Sequence, residues 1–337
     1  MSPPTPSNPS NRTREPRSER ELIAKSPAMR RVLELARRAA LSDATVLITG
    51  ESGTGKGRVA GFIHESSPRR QGPLVAVNCG ALPEHLLESE LFGHKKGAFT
   101  GAISDAKGLF VAAGGGTLFL DEIGETSPSL QVRLLRALQE RTIRPVGSTT
   151  DRKVDVRIIA ATNQDLEALV REGTFRKDLY YRLRVVELEI PPLRERRDDL
   201  LPLARTFIGR TCKENVCGPC ALSSEVLDQL LAYDWPGNVR ELENAIERAV
   251  VLAEDQPVVR VEDLPREVRG ASKTMVMGDD DVIYTLAEVE KRHILQTLER
   301  LHDNRKATAS ALGIGENTLW RRLKSYGMVR KRHASGG

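Results

Sequence analysis

The 337-residue chain reads as an α/β protein, with a P-loop core on a mainly parallel sheet, a helical subdomain and a small all-α helix-turn-helix module. Three observations predict this. Short apolar runs alternate with helical patterns as far as Pro191-Pro192 and then stop. The first of these runs leads directly into Gly50-Glu-Ser-Gly-Thr-Gly-Lys56. Basic residues collect at the far end: from Tyr284 to Gly337 there are 11 Lys and Arg against 5 Asp and Glu, in a chain whose formal charge is +5.

Each element can be justified in order. Residues 1–20, rich in Pro, Ser, Asn and Arg, are expected to form a disordered tail. The core is expected over 21–197. Val32, Leu33, Leu35, Ala36, Ala39 and Ala40 give its first apolar helical face, and Thr45-Val-Leu-Ile-Thr its first buried strand. Further strands are expected at Leu74-Val-Ala-Val, Thr117-Leu-Phe-Leu, Val156-Arg-Ile-Ile-Ala and Val185-Val-Glu-Leu-Glu-Ile, with a helix at Leu130–Leu138 among those between them. Residues 198–269 read as helices without strands, including Ser224–Ala232 and Val239–Leu252. Residues 270–283, with Gly278-Asp-Asp-Asp, lack periodicity and read as a linker. The module 284–330 opens with an amphipathic helix (Leu286, Val289, Ile294, Leu298, Leu301). Helices Lys306–Leu312 and Glu316–Tyr326 follow, with Gly313-Ile-Gly315 between them, and 331–337 is a tail.

Composition bounds the class. Hydrophobic content of 39% and charged content of 29% are those of a soluble globular protein. No stretch approaches the roughly 18 apolar residues of a membrane span, and the N-terminus has no apolar signal region, so a cytoplasmic location without a membrane partner is expected. Basicity concentrated in the terminal module points to a polyanion, most simply double-stranded DNA. Cys212, Cys217 and Cys220 cluster, but the His residues that would complete a metal site lie far away in sequence, so a structural role is expected.

The Gly-rich loop carries the chemistry. Gly50, Gly53 and Gly55 let the backbone bend so that the N–H groups of Gly50, Glu51, Ser52, Gly53, Thr54, Gly55, Lys56 and Gly57 can face phosphate oxygens at a helix N-terminus, and Lys56 supplies positive charge. Such a loop is the usual phosphate cradle of a nucleotide-hydrolysing enzyme, and ATP with Mg²⁺ is the expected ligand. Gly57 stands where most P-loops place the Ser or Thr that touches Mg²⁺. Asp121, at the end of Thr117-Leu-Phe-Leu-Asp-Glu, is then the expected metal contact, directly or through water, and Glu122 is placed to orient or deprotonate the attacking water. Arginines that reach a γ-phosphate from a neighbouring subunit act as fingers and require an oligomer, but Arg176 and Arg182 taken alone read as solvated surface charges; Arg240, in Trp235-Pro-Gly-Asn-Val-Arg, could report nucleotide state to the helical subdomain. A second Gly-bounded element, Gly97-Ala98-Phe99-Thr100-Gly101-Ala102, offers an exposed aromatic and a hydroxyl to a partner.

With these residues in hand, the chain resembles the AAA+ activators of sigma-54 RNA polymerase, the bacterial enhancer-binding proteins, from about Leu22 to Met328. The motifs that carry the resemblance are 50–56, Glu90-Leu-Phe-Gly-His94 leading to 97–102, Gly115–Glu122, Phe175–Leu183 and Trp235–Leu242. The resemblance implies an AAA+ core and helical lid, with Phe99 and Thr100 contacting sigma-54. It implies Asn78 as a switch residue pairing with Glu122, Thr162 and Asn163 as sensor I, Arg240 as sensor II, and Arg176 and Arg182 as trans-acting fingers. It further implies a hexameric ring when active and a dimer at rest. A Fis-type DNA-binding domain would contact enhancer DNA through Lys306, Asn317, Thr318, Arg321, Arg322 and Lys324. Gly57 departs from the Glu common in the family. Only 20 residues precede the ATPase where relatives carry a sensory domain, so control by a trans-acting regulator is expected.

Two other classes fit parts of the chain. A DNA-binding regulator with a degenerate ATPase scaffold would explain Gly57 but not the intact Lys56, Asp121 and Glu122. An AAA+ chaperone or helicase loader would share the ATP site but has no use for 97–102.

Overall fold

The structure, a computed structural model, describes residues 22–99, 102–215, 220–253, 256–269, 293–294, 297–298, 301 and 304–326. The chain divides into two compact units between Thr274 and Met275.

The first unit opens with helix α1 (Pro27–Ala40), capped by the Ser26 hydroxyl accepting from Met29 N–H. Strand β1 (Val46–Thr49) and helix α2 (Lys56–Glu65) flank the Gly-rich loop. Then come β2 (Leu74–Asn78), α3 (Glu84–Phe92), the paired strands β3 (Gly93–His94) and β4 (Ala106–Lys107), and the short helix α4 (Leu109–Ala112). After these are β5 (Thr117–Asp121), α5 (Pro128–Glu140), a second small pair β6 (Thr142–Ile143) and β7 (Arg152–Lys153), β8 (Arg157–Thr162), α6 (Leu166–Glu172), α7 (Lys177–Leu183) and β9 (Val186–Glu189).

The main sheet has the order β2-β5-β8-β1-β9 and is parallel throughout. All five strands expected from sequence are these five. β8 is buried at every position, as a central parallel strand with helices on both faces must be. One face packs Leu118, Leu120, Ile158 and Ala160 against α3, α5 and α7 residues such as Leu91, Leu134 and Leu179. The other packs Val46, Ile48, Phe119 and Ile159 against Met29, Val59 and Ile63 of α1 and α2. β1, β5 and β8 therefore release the residues that follow them at one carboxyl edge of the sheet.

Beyond Pro192 the chain is mostly helical, with α8 (Leu200–Glu214), α9 (Ser224–Ala232) and α10 (Asn238–Leu252) around a separate core that includes Phe207, Leu230, Trp235 and Ile246. The expectation of no strands here is corrected. β10 (Ala221–Leu222) pairs in parallel with β11 (Val258–Val259), a two-residue match too short for any periodicity to betray. The short α11 (Arg266–Arg269) follows.

In the second unit, α12 (Arg305–Ala311) and α13 (Glu316–Ser325) meet across a turn in which Gly313 has φ +64°. Ile294, Leu298, Ala309, Leu319 and Leu323 form its core. The N-terminal half of the amphipathic helix, with Leu286 and Val289, lies outside the described residues.

Candidate functional site

The Gly-rich loop turns where β1 ends, with φ of 144° at Gly50, 78° at Gly53 and 102° at Gly55. These left-handed conformations are open to glycine at no steric cost. Gly55 caps α2 without a side-chain hydrogen bond, so the helix presents its backbone N–H groups and positive dipole end to the cleft. Lys56 is buried, and its ammonium donates to Gly50 O at 2.8 Å and Glu51 O at 3.0 Å. Burial holds its pKa below the usual lysine value, against the opposing pull of Asp121 and Glu122.

The two acids arrive at the carboxyl end of β5, one strand beyond β8 from β1. Asn78 and Asp121 are register partners of β2 and β5, and Cys79 N–H donates to Asp121 O at 2.8 Å. Burial raises the Asp121 pKa, while the N–H of Glu122 and the Lys56 charge oppose that. Glu122 holds φ 55° in a non-glycine residue, a conformation that costs about 1–3 kcal/mol and clusters at functional sites. The Cys79 thiol is pushed up to about 12 by burial and then by the two carboxylates.

A cleft of about 660 Å³ joins these groups. Lys56, Asp121, Glu122 and Arg240 line its polar part, and Leu22, Ile23, Met29, Leu203 and Phe207 its apolar part. A nucleotide has that division of character, with a flat apolar base and charged phosphates. The residues fit a nucleoside triphosphate with a divalent cation: three glycines let the loop approach closely, the Lys56 ammonium feels the charge of Asp121 and Glu122, and a carboxylate is the kind of oxygen ligand Mg²⁺ takes.

Other expected residues fall less directly into place. Asn78, expected to pair with Glu122, instead engages its own turn: its Oδ1 accepts from Gly80 N–H at 2.8 Å. Thr162, fully buried, ends β8, and its hydroxyl accepts from Gln164 N–H at 3.0 Å; Asn163 is exposed. Arg240 Nη1 donates to Ser52 Oγ at 3.1 Å. Arg176 and Arg182 lie away from the cleft of their own chain: Arg176 pairs with Asp178 at 2.7 Å and Arg182 donates to Leu138 O at 3.2 Å.

The aromatic loop stands on the β3–β4 pair. Gly97 N–H donates to Ala102 O at 2.9 Å, and Ala102 N–H to Phe99 O at 3.0 Å. The ring of Phe99, 36% exposed, meets His94 edge-on at 5.0 Å. The strand pair is braced from outside by Lys95 N–H donating to Val146 O at 2.9 Å and Val146 N–H to Gly93 O at 2.8 Å. Thr100 and Gly101 lie outside the described residues. In the second unit Lys306, Asn317, Thr318, Arg321 and Arg322 are exposed on α12 and α13, while the Lys324 side chain is not described.

Sequence reasoning missed the apolar wall of the cleft and its lid connections. Arg196, 3% exposed, donates to Thr54 O at 2.7 Å. Asp199 accepts from Ser26 N–H and Ser26 Oγ, both at 2.7 Å, and so ties the segment bearing Leu22 and Ile23 to the lid. No local signal marks these partners, which lie 142 and 173 residues apart. Among the described residues no His, Cys, Asp and Glu group could hold a metal on its own, and no helix is long and apolar enough to cross a membrane. Cys212 is buried and Cys220 partly so; Cys217 lies outside the described residues.

A phosphate loop, strand-end acids, a helical lid and a helix-turn-helix together define a DNA-binding P-loop nucleoside triphosphatase of the AAA+ class. Residues 22–189 match the Sigma-54 interaction domain, 194–279 the AAA+ ATPase lid domain and 285–326 the Fis family of bacterial regulatory proteins. The chain is 52% identical to the transcriptional regulatory protein ZraR of Klebsiella oxytoca over 311 residues, 92% of this chain and 70% of that protein. It is 49% identical to the regulatory protein AtoC of Escherichia coli over 313 residues, 91% of this chain and 68% of that protein. The crystal structure of NtrX from Brucella abortus with ADP superposes with a TM-score of 0.71 at 34% identity, over 92% of this chain and 70% of that one. The chain belongs to the sigma-54 activator family of transcriptional regulators.

Proposed function

We propose that this protein is an ATP-hydrolysing transcription activator. It binds upstream enhancer DNA through α13 and uses ATP hydrolysis to convert closed complexes of sigma-54 RNA polymerase into open ones. The observation that carries this reading is a short physical path from cleft to loop. Asn78 ends β2 beside Asp121; α3 follows and runs directly into β3 and the Phe99 loop. The same α3 is pinned to the segment after Glu122, because Ser127 Oγ donates to Glu84 at 2.5 Å. A displacement at the strand ends therefore has a continuous route to Phe99.

In this reading Asp121 would hold Mg²⁺, which when bound would supply positive charge against that developing on the phosphates. Lys56 binds and screens the β- and γ-phosphates, and Glu122 positions water and takes its proton. The NtrX structures with ADP and ATP support the nucleotide class. Arg176 and Arg182 act in trans, which requires a ring, proposed as a hexamer assembled from dimers. Residues 21–197 form the ring core, 198–269 the lid and 284–330 the DNA-binding domain of a cytoplasmic protein under a trans-acting regulator. The test is open-complex formation on a sigma-54 promoter by wild type and Thr100→Ala. Activity lost in the variant while ATP hydrolysis persists supports the reading; a wild type that hydrolyses ATP yet never opens the promoter overturns it.

A further inference from the structure

The cleft accounts for Lys56, Asp121 and Glu122 but not for Glu51, which sits in the phosphate loop without lining the cleft. Its two ends face different parts of the protein. The backbone carbonyl accepts from the Lys56 ammonium at 3.0 Å and from Thr54 Oγ1 at 2.8 Å. The carboxylate is held by the lid side: Arg194 donates to its two oxygens at 2.6 and 2.9 Å, and Asn238 Nδ2 to Oε2 at 3.0 Å.

Asn238 is the joint of this arrangement. It is fully buried, is the first residue of α10 and has φ 55°. Besides Glu51, its amide donates to Ser52 O at 3.1 Å, and its oxygen accepts from Leu193 N–H at 2.7 Å. One side chain thus bonds the phosphate loop, the core-to-lid connector and the start of the lid helix. Directly beside it, Gly53 O accepts from Val239 N–H at 3.0 Å and Arg240 N–H at 3.3 Å. The backbone of Arg240 is therefore set by the loop that receives phosphate. The Glu51–Arg194 pair is 41% and 40% exposed at its two side chains, and an exposed pair contributes little by itself. Its consequence comes from being shared with the buried amide.

We propose that Glu51, acting with Asn238, is a positioning residue that registers α10 and its Arg240 against the phosphate loop, so that phosphate occupancy is transmitted to the lid. Phosphate oxygens entering the loop compete with Gly50 O and Glu51 O for the Lys56 ammonium. Any resulting turn of the Glu51 peptide passes through its carboxylate to Arg194 and Asn238. This inference rests on the ATPase reading above.

The test uses the full chain with Glu51→Ala and Asn238→Gly, each alone and combined with Arg240→Ala; glycine at 238 keeps the left-handed backbone while removing the amide. Binding of a fluorescent ADP analogue and steady-state ATP hydrolysis are measured separately. The expected result is an ADP Kd within about threefold of wild type and a kcat lowered about tenfold or more, the split that loss of a positioning contact produces. The double variants should be no slower than Arg240→Ala alone, because coupled groups are non-additive. Wild-type kcat in both single variants, ADP affinity falling in step with kcat, or multiplicative losses in the doubles would each overturn the proposal. Glu51→Gln, which keeps volume and one acceptor, carries the same comparison if the alanine variant does not fold. A wild type that binds ADP but does not hydrolyse ATP would instead sink the ATPase reading.

Discussion

A side-chain carbon on Gly80 would come within 2.8 Å of Glu122 Oε2 and 3.5 Å of Asn78 Oδ1. Glycine at 80 is therefore what leaves room for the Glu122 carboxylate on the β2 side, with Asn78 braced against the N–H of the same residue. The contact is with the end of a side chain, so Gly80→Ala should fold and move the carboxylate rather than the backbone. Displacements of this size in a reacting group cost about 10- to 100-fold in rate. We expect kcat for ATP to fall by that factor while ADP affinity, measured by equilibrium titration, is unchanged. An unaltered kcat would mean that Glu122 does not act from the position seen here.

Glu51 gives the phosphate loop a distinctive acid response. Arg194, then Asn238, lower its pKa from 4.5 to about 2. A carboxylate with a depressed folded-state pKa contributes stability that is present above its unfolded value and lost as pH falls through the folded one. The contribution should be complete above about pH 4.5 and disappear toward pH 2. Thermal midpoints of wild type and Glu51→Gln should thus differ at neutral pH and converge in that window. A difference that is constant across it would show that the ion pair does not form in solution.

Arg157 makes a prediction about the scaffold. It is 2% exposed, and its guanidinium donates to Ala40 O at 3.0 Å and Ala39 O at 2.8 Å, closing the C-terminus of α1. Arg157→Met keeps much of the volume but removes the guanidinium donor from Ala40 O and leaves Ala39 O to the N–H and hydroxyl of Ser42, both at 3.2 Å. The expected loss is about 2 kcal/mol, chiefly from the charge-assisted bond to Ala40 O and the acceptor it orphans. Urea unfolding of the variant measures it; a loss below about 1 kcal/mol would place water at those carbonyls.

The five sheet strands were legible because buried parallel strands are continuous apolar runs, and the phosphate loop because glycine at 50, 53 and 55 is a backbone requirement written one residue at a time. The β3–β4 and β10–β11 pairs were not legible. Two residues of pairing have no period, and Gly93, His94, Ala106 and Lys107 have no apolar alternation. Glu51 was visible as a member of the loop but not as a link to the lid, since its partners lie 143 and 187 residues away. Arg240 was expected as a sensor only through its motif; that Gly53 O fixes its backbone follows from packing alone.

Gly57 is the departure on which sequence and structure bear most differently. It follows Lys56 in the first turn of α2, is exposed, and a carbon placed on it would meet only Phe119 Cε1 at an ordinary 3.7 Å. Its backbone does not need glycine, so the position tolerates a side chain, and Gly57→Ala should stabilise the helix by up to about 1 kcal/mol. Gly57→Ser adds to this a hydroxyl where other P-loops touch Mg²⁺. The serine variant should therefore bind ATP more tightly than the alanine variant in a Mg²⁺-dependent manner, by about 1 kcal/mol for one added hydrogen-bonding or metal contact. The measurement is ATP titration with and without Mg²⁺ in both variants. Equal affinities would leave Asp121 as the metal contact on which this loop relies and assign glycine at 57 no cost in binding.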